Sequence, residues 1–206
     1  MKRTLILIIG LTLVFFLGLA AFASAPLPLL PLQILFLNLV TDVFPALALA
    51  AGEGSQDIMR QPPRKKGEPI MDRSRWYEVT AYGIAITAAV LGAMAIALLY
   101  LGMDEKQAVT VSFLTLAFAQ LWHVFNMRET GSTFLNNAIM RNSFVWGALG
   151  LCSVMLAATV YVPLLAEVLN VARPGAKGWL LILSMSLLPL VVGQIGLVVL
   201  KGKGKM

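Results

Sequence analysis

Long apolar runs separated by short polar stretches set the pattern of this chain. They fall near residues 4–24, 28–50, 77–101, 109–127, 143–163 and 178–200. Each approaches the roughly 20 apolar residues that a helix needs to cross a bilayer. The pattern therefore predicts an all-α membrane protein, a bundle of six transmembrane helices. Helices are expected because backbone groups inside lipid must be satisfied within their own segment. Pro26, Pro28 and Pro31 mark a tight turn between the first two runs, since proline breaks helix continuity. Further turns are expected at Gly102-Met103-Asp104-Glu105 and Arg173-Pro174-Gly175, with a loop around Glu129-Thr130-Gly131. The longest polar stretch, 51–76, is rich in glycine, proline and charge and reads as a solvated linker. Spans and connections together make a single transmembrane domain over 1–206, with no internal repeat.

Composition agrees: 59% of the 206 residues are apolar and 13% are charged, against about 25% charged in a soluble domain. The net charge of +6 raises the question of nucleic acid. Placement answers it. Every basic residue except Lys106, Arg173 and Lys177 lies before the first run, between the second and third, or after the fourth or sixth. By the positive-inside rule both termini and the 51–76 loop are cytoplasmic, and the partner is the lipid bilayer, not nucleic acid. The tail Lys201-Gly202-Lys203-Gly204-Lys205 suits an anionic leaflet surface. Lys2, Arg3 and the small residues Ala23-Ser24-Ala25 imitate a secretory signal. The apolar run from Thr4 to Phe22 exceeds the roughly 7–15 residues of a signal core, and Pro26 follows the cleavage-like site, so a retained span is expected. Cys152 is the one cysteine, which excludes an internal disulfide and a thiolate metal cluster. Within an apolar run it reads as a small buried hydrophobe.

The chemistry concentrates in the second run. Of the ten acidic residues only Asp42 lies deep in an expected span; Glu78 and Glu167 sit near span ends. A carboxylate at the bilayer centre costs roughly 2.5–3.5 kcal/mol on insertion scales, so something must offset it. Asn38, Thr41 and Asp42 stand at i, i+3 and i+4, which puts amide, hydroxyl and carboxylate oxygens on one α-helical face. Hard cations take such oxygen ligands. Pro45 has no N–H, so the Thr41 carbonyl loses its helical partner and becomes a further candidate ligand. A plainer arrangement uses the same residues: Asn38 and Thr41 bond neighbouring helices, and Asp42 is carried as a neutral acid. Gln120 and His123 on the fourth run and Gln194 on the sixth are weaker polar handles, with His123 read as an interhelical hydrogen-bonding group.

The run Pro31-Leu32-Gln33-Ile34-Leu35-Phe36-Leu37-Asn38-Leu39-Val40-Thr41-Asp42, followed by Pro45-Ala46, resembles the sixth transmembrane helix of type II P-type ATPases, calcium pumps among them. Asp57-Ile58-Met59-Arg60-Gln61-Pro62-Pro63-Arg64 with Glu68-Pro69-Ile70 resembles the loop after that helix. Ala119-Gln120-Leu121-Trp122-His123-Val124-Phe125-Asn126 is similar to the eighth helix, and Trp179-Leu180-Leu181 opens a match to the tenth. The resemblance covers about 30–200 and implies helices five to ten of the pump. It also implies a cation held by Asn38, Thr41, Asp42 and Gln120. The sequence departs from the family where the fifth helix supplies an asparagine and a glutamate: Gly10 and Leu13 stand near those positions. Val43 replaces the glycine that follows the aspartate in many calcium pumps.

The Asp-Lys-Thr-Gly phosphorylation motif and a nucleotide-binding domain are not found in these residues, so the chain alone is not expected to hydrolyse ATP. Three roles follow: a transport domain lacking the ATP-hydrolysing domains, a subunit of a split pump with a separate catalytic P-type ATPase polypeptide, or a non-transporting regulatory protein derived from the fold. The expected setting is a bacterial plasma membrane. No cofactor is expected beyond a transported cation, with calcium, manganese, magnesium, sodium, potassium and protons all compatible with oxygen ligands.

Overall fold

The computed structural model describes residues 26–51, 73–126 and 138–202. Among these residues every regular element is helical. Five helices are long and apolar enough to cross a membrane: Pro31–Ala50, Trp76–Leu99, Glu105–Asn126, Ser143–Tyr161 and Gly175–Gln194. The expected span 4–24 and most of the expected 51–76 loop lie outside the described residues.

The first described span has three parts: α1 (Pro31–Leu37), a π-helical segment (Asn38–Val43) and α2 (Phe44–Ala50). Next come α3 (Arg73–Leu99), which starts inside the stretch expected as loop, and α4 (Glu105–His123), which tightens into a 3₁₀ turn over Val124–Asn126. The chain then forms α5 (Ala138–Arg141), α6 (Ser143–Tyr161), α7 (Pro163–Val168) and α8 (Gly175–Gly202).

Local chemistry sets the boundaries. Gly102 turns with φ +61, where a side chain would be strained. Asp104 then caps α4: its Oδ1 accepts from Gln107 N at 2.8 Å while Gln107 Oε1 accepts from Asp104 N at 3.4 Å. Asn142 caps α6 by accepting from Phe144 N at 2.9 Å. Val162 is extended, with φ −89 and ψ 115, as the residue before a proline prefers. The fifth expected span, 143–163, therefore ends at Tyr161, and α7 begins at Pro163 as a short helix that periodicity did not reveal.

The central post is α4. Of its membrane window 78% is buried, against 28–33% for the other four spans. It packs against α3 and α8, while α6 packs mainly against α2. Lipid offers no hydrophobic drive between helices, so close approach of small residues matters most. Ala89, Ala93 and Ala97 accordingly form a buried line at four-residue spacing on α3. Polar stitches add to this: Trp122 Nε1 donates to Ser186 Oγ at 3.2 Å, and Ala172 N donates to Thr110 Oγ1 at 2.9 Å.

Among the described residues the buried Thr115 hydroxyl has no hydrogen-bond partner. An unmet buried hydroxyl costs about 1–3 kcal/mol. At the lower end of that cost, about 1 kcal/mol, Thr115→Val is expected to raise the melting temperature in detergent by roughly 2–4 °C; an unchanged or lower value would show that the hydroxyl is satisfied.

Candidate cation site

The site is built on the interruption of the first described span. At Asn38 the helix changes to π bonding, in which each carbonyl pairs with the N–H five residues on. Pro45 offers no N–H. In an α-helix the carbonyl deprived of a partner would be that of Thr41, as the sequence suggested. In the π register it is that of Val40, and the structure shows the replacement: Cys152 Sγ donates to Val40 O at 3.0 Å. The carbonyl that Pro45 deprives in the π register is thus one residue earlier than in an α-helix, and a thiol from α6 meets it.

The same widening divides the expected face. A π turn holds more residues than an α turn, so i and i+4 come into line while i+3 swings aside. Asn38 and Asp42 are both exposed, whereas Thr41 is buried at 6%. Thr41 Oγ1 lies 2.9 Å from Leu37 O, 2.9 Å from Gln120 Oε1 and 3.3 Å from Asp42 Oδ1. One hydroxyl carries one proton. That proton lies on one line at a time, so Thr41 Oγ1 donates to Leu37 O, Gln120 Oε1 or Asp42 Oδ1 and faces the other two oxygens with no hydrogen between.

Oxygens at such separations fit a cation shell. Two ligands at right angles, each about 2.4 Å from calcium, are about 3.4 Å apart, and crowding to seven or eight ligands shortens that spacing. Thr41, Asp42 and Gln120 therefore form a compact oxygen group, which includes one carboxylate and reaches from the π turn to the half-buried Gln120 of α4. Asn38 stays apart: it is exposed and makes no side-chain hydrogen bond among the described residues. No group of three or more His, Cys, Asp or Glu side chains suited to a metal occurs among the described residues. The donor set is consequently mostly neutral.

The remaining polar handles form a separate cluster. Asn126 Nδ2 lies 3.4 Å from His123 Nδ1, and Gln194 Nε2 donates to Asn126 Oδ1. The Tyr82 ring meets His123 edge to face at 4.6 Å. Together they tie α3, α4 and α8, although the His123 hydrogen bond is local, to Asn126 three residues on, and the bond that crosses between helices is that of Gln194 to Asn126. Gly193 completes the junction, since a Cβ there would collide with the Tyr82 ring and the Asn126 amide. Gly193→Ala is expected to lower the melting temperature by several degrees; an unaltered melt would mean that Tyr82 moves aside at no cost.

Sequence reasoning missed Gln33, Asn142 and Cys152. Gln33 is fully buried; its Oε1 accepts from Leu30 N at 3.1 Å and its Nε2 donates to Leu169 O at 3.0 Å. Asn142 Nδ2 donates to Ala48 O at 3.1 Å. A glutamine inside an apolar span was a usable signal for the first. Nothing local marked Asn142 or Cys152, because their acceptors are about a hundred residues away in the chain.

Apolar helices of spanning length, one of them broken by a π turn and a proline beside an acidic residue, define an integral membrane domain of all-α architecture. Residues 26–199 match the family model described as "Cation transporting ATPase, C-terminus", and the chain belongs to that family. It is 33% identical over 172 residues to a calcium-transporting ATPase of Bacillus subtilis, covering 82% of this chain and 19% of that protein. A calcium-transporting ATPase 1 of Bacillus cereus is 29% identical over 182 residues, covering 82% and 20%. A shorter match, 46% over 71 residues, joins 34% of the chain to 5% of a P-type sodium-transporting ATPase4 of Plasmodium falciparum. The chain thus spans about a fifth of the length of the first two relatives.

Proposed function

We propose that these residues are the membrane transport segment of a cation pump and hold part of its ion site through Thr41, Asp42 and Gln120, while Asn38, one helical turn before Asp42, stands outside their hydrogen-bonded group. The observation that carries this reading is the oxygen group around Thr41, set on a π turn at membrane depth. Calcium is the cation this reading favours, because the matches that cover most of the chain are to calcium-transporting ATPases and the donors are hard oxygens. ATP hydrolysis falls to catalytic parts outside these residues, in the same polypeptide or in a separate one. The distribution of basic residues supports cytoplasmic placement of both ends, and the Bacillus relatives favour a bacterial plasma membrane.

With one carboxylate the site is weak. Equilibrium binding of radioactive calcium to the purified 206-residue chain in lipid nanodiscs is expected to saturate with Kd on the order of 10⁻⁴–10⁻³ M. Equal concentrations of sodium should displace little of it. Binding no greater than that of empty nanodiscs contradicts the reading, and preferential displacement by sodium would reassign the cation.

A further inference from the structure

Cys152 supplies no ligand to the proposed site, yet its thiol is spent on the backbone that forms it. The residue is 0% exposed, and Sγ lies 3.0 Å from the carbonyl oxygen of Val40, itself 0% exposed. A buried carbonyl needs a donor. In the π register the N–H that would serve Val40 belongs to Pro45 and does not exist, so a weak thiol donor meets an acceptor left without its helical partner. A second contact follows the same logic. α2 ends at Ala50, so its last carbonyls also lack helical partners, and Asn142 Nδ2 reaches Ala48 O at 3.1 Å. Two side chains at the start and middle of α6 thereby hold the site helix by its backbone, one on each side of Pro45.

We propose that Cys152 is a positioning residue for the cation site. By satisfying the Val40 carbonyl it holds the π turn open, and the π turn is what carries Thr41 onto Gln120 while Asp42 stays alongside. Without that donor the segment loses part of the advantage of π over α bonding, and the oxygen group loosens. The inference rests on the reading of this group as a cation site.

The test uses the fact that the chain has one cysteine, so the S–H stretching band in the infrared spectrum of the purified chain reports Cys152 alone. The band is expected at lower frequency than that of an unbonded thiol in apolar solvent; a band at the unbonded position overturns the proposal. Calcium affinity is then compared among Cys152→Val, which keeps bulk without a donor, Cys152→Ser, which keeps a donor, and the wild type. A neutral hydrogen bond is worth about 0.5–1.5 kcal/mol, so Cys152→Val should bind roughly 2- to 12-fold more weakly, with Cys152→Ser recovering most of that loss. In a Pro45→Ala background the restored N–H serves the Val40 carbonyl, and the Cys152→Val loss should shrink. That coupling is something a mere cavity or packing defect would not produce. Valine binding as well as cysteine, serine as weak as valine, or a loss unaltered by Pro45→Ala each overturns the proposal while wild-type binding stands. A wild-type chain that binds no calcium, with the S–H band still lowered, overturns the cation reading and the positioning role together, and leaves only the thiol contact.

Discussion

Asp42→Asn is expected to weaken calcium binding at least about a hundredfold, the largest effect of any single substitution at the site. The substitution keeps an oxygen in place and removes only the charge. Even at the dielectric of bulk water, a divalent ion about 2.4 Å from a unit charge gains about 3.5 kcal/mol, which is more than two decades of affinity. Among the described residues no second carboxylate is bonded to the Thr41 oxygen group to take over the role. For a site of millimolar strength the result is loss of measurable binding. The melting temperature should stay near that of the wild type, because Asp42 is exposed and its recorded contact is with the neighbouring Thr41. An Asp42→Asn chain that binds calcium as the wild type does would remove the carboxylate from the site.

The largest stability effect is expected from Gln33→Leu. The leucine preserves most of the buried volume, so the change reads the two hydrogen bonds almost alone. Leu30 N and Leu169 O both lose their partner, and each unmet buried group costs about 1–3 kcal/mol. A net loss of about 2 kcal/mol, or roughly 4–8 °C in melting temperature, follows for a domain of this size. Because Gln33 ties α1 to the turn after α7, the loss should also speed proteolysis around 169–174. Thermal denaturation in detergent, with limited proteolysis, checks both. A melt within a degree of the wild type would show that water or a rearranged backbone replaces the amide.

Much of this architecture is written in hydropathy. Five of the expected spans are observed with ends shifted by a few residues, because some twenty apolar residues in succession admit one solution in lipid. The shifts have local causes: Pro163 forces Val162 out of the α region and ends α6 early, and the Asp104 capping box starts α4 at Glu105, ahead of the apolar run. Asn38, Thr41 and Asp42 could be named from residue type and spacing and Gln120 from the family resemblance; of these, Thr41, Asp42 and Gln120 do come together. Their orientation could not. An i, i+3, i+4 face presumes 3.6 residues per turn, and a π turn has no signature in the residues Asn38-Leu39-Val40-Thr41-Asp42-Val43 themselves. Pro45 announced that a carbonyl would go unpaired; which one depends on the register that tertiary contacts select. The thiol of Cys152 and the amide of Asn142 provide part of that selection from over ninety residues away.

The most direct measurement is an anomalous difference map from crystals of the chain grown with calcium. The account predicts one peak about 2.3–2.6 Å from an Asp42 carboxylate oxygen and from Gln120 Oε1, beside Thr41 and its π turn. Density for calcium elsewhere, or an Asp42 side chain turned into lipid with no ion near it at saturating calcium, would contradict it.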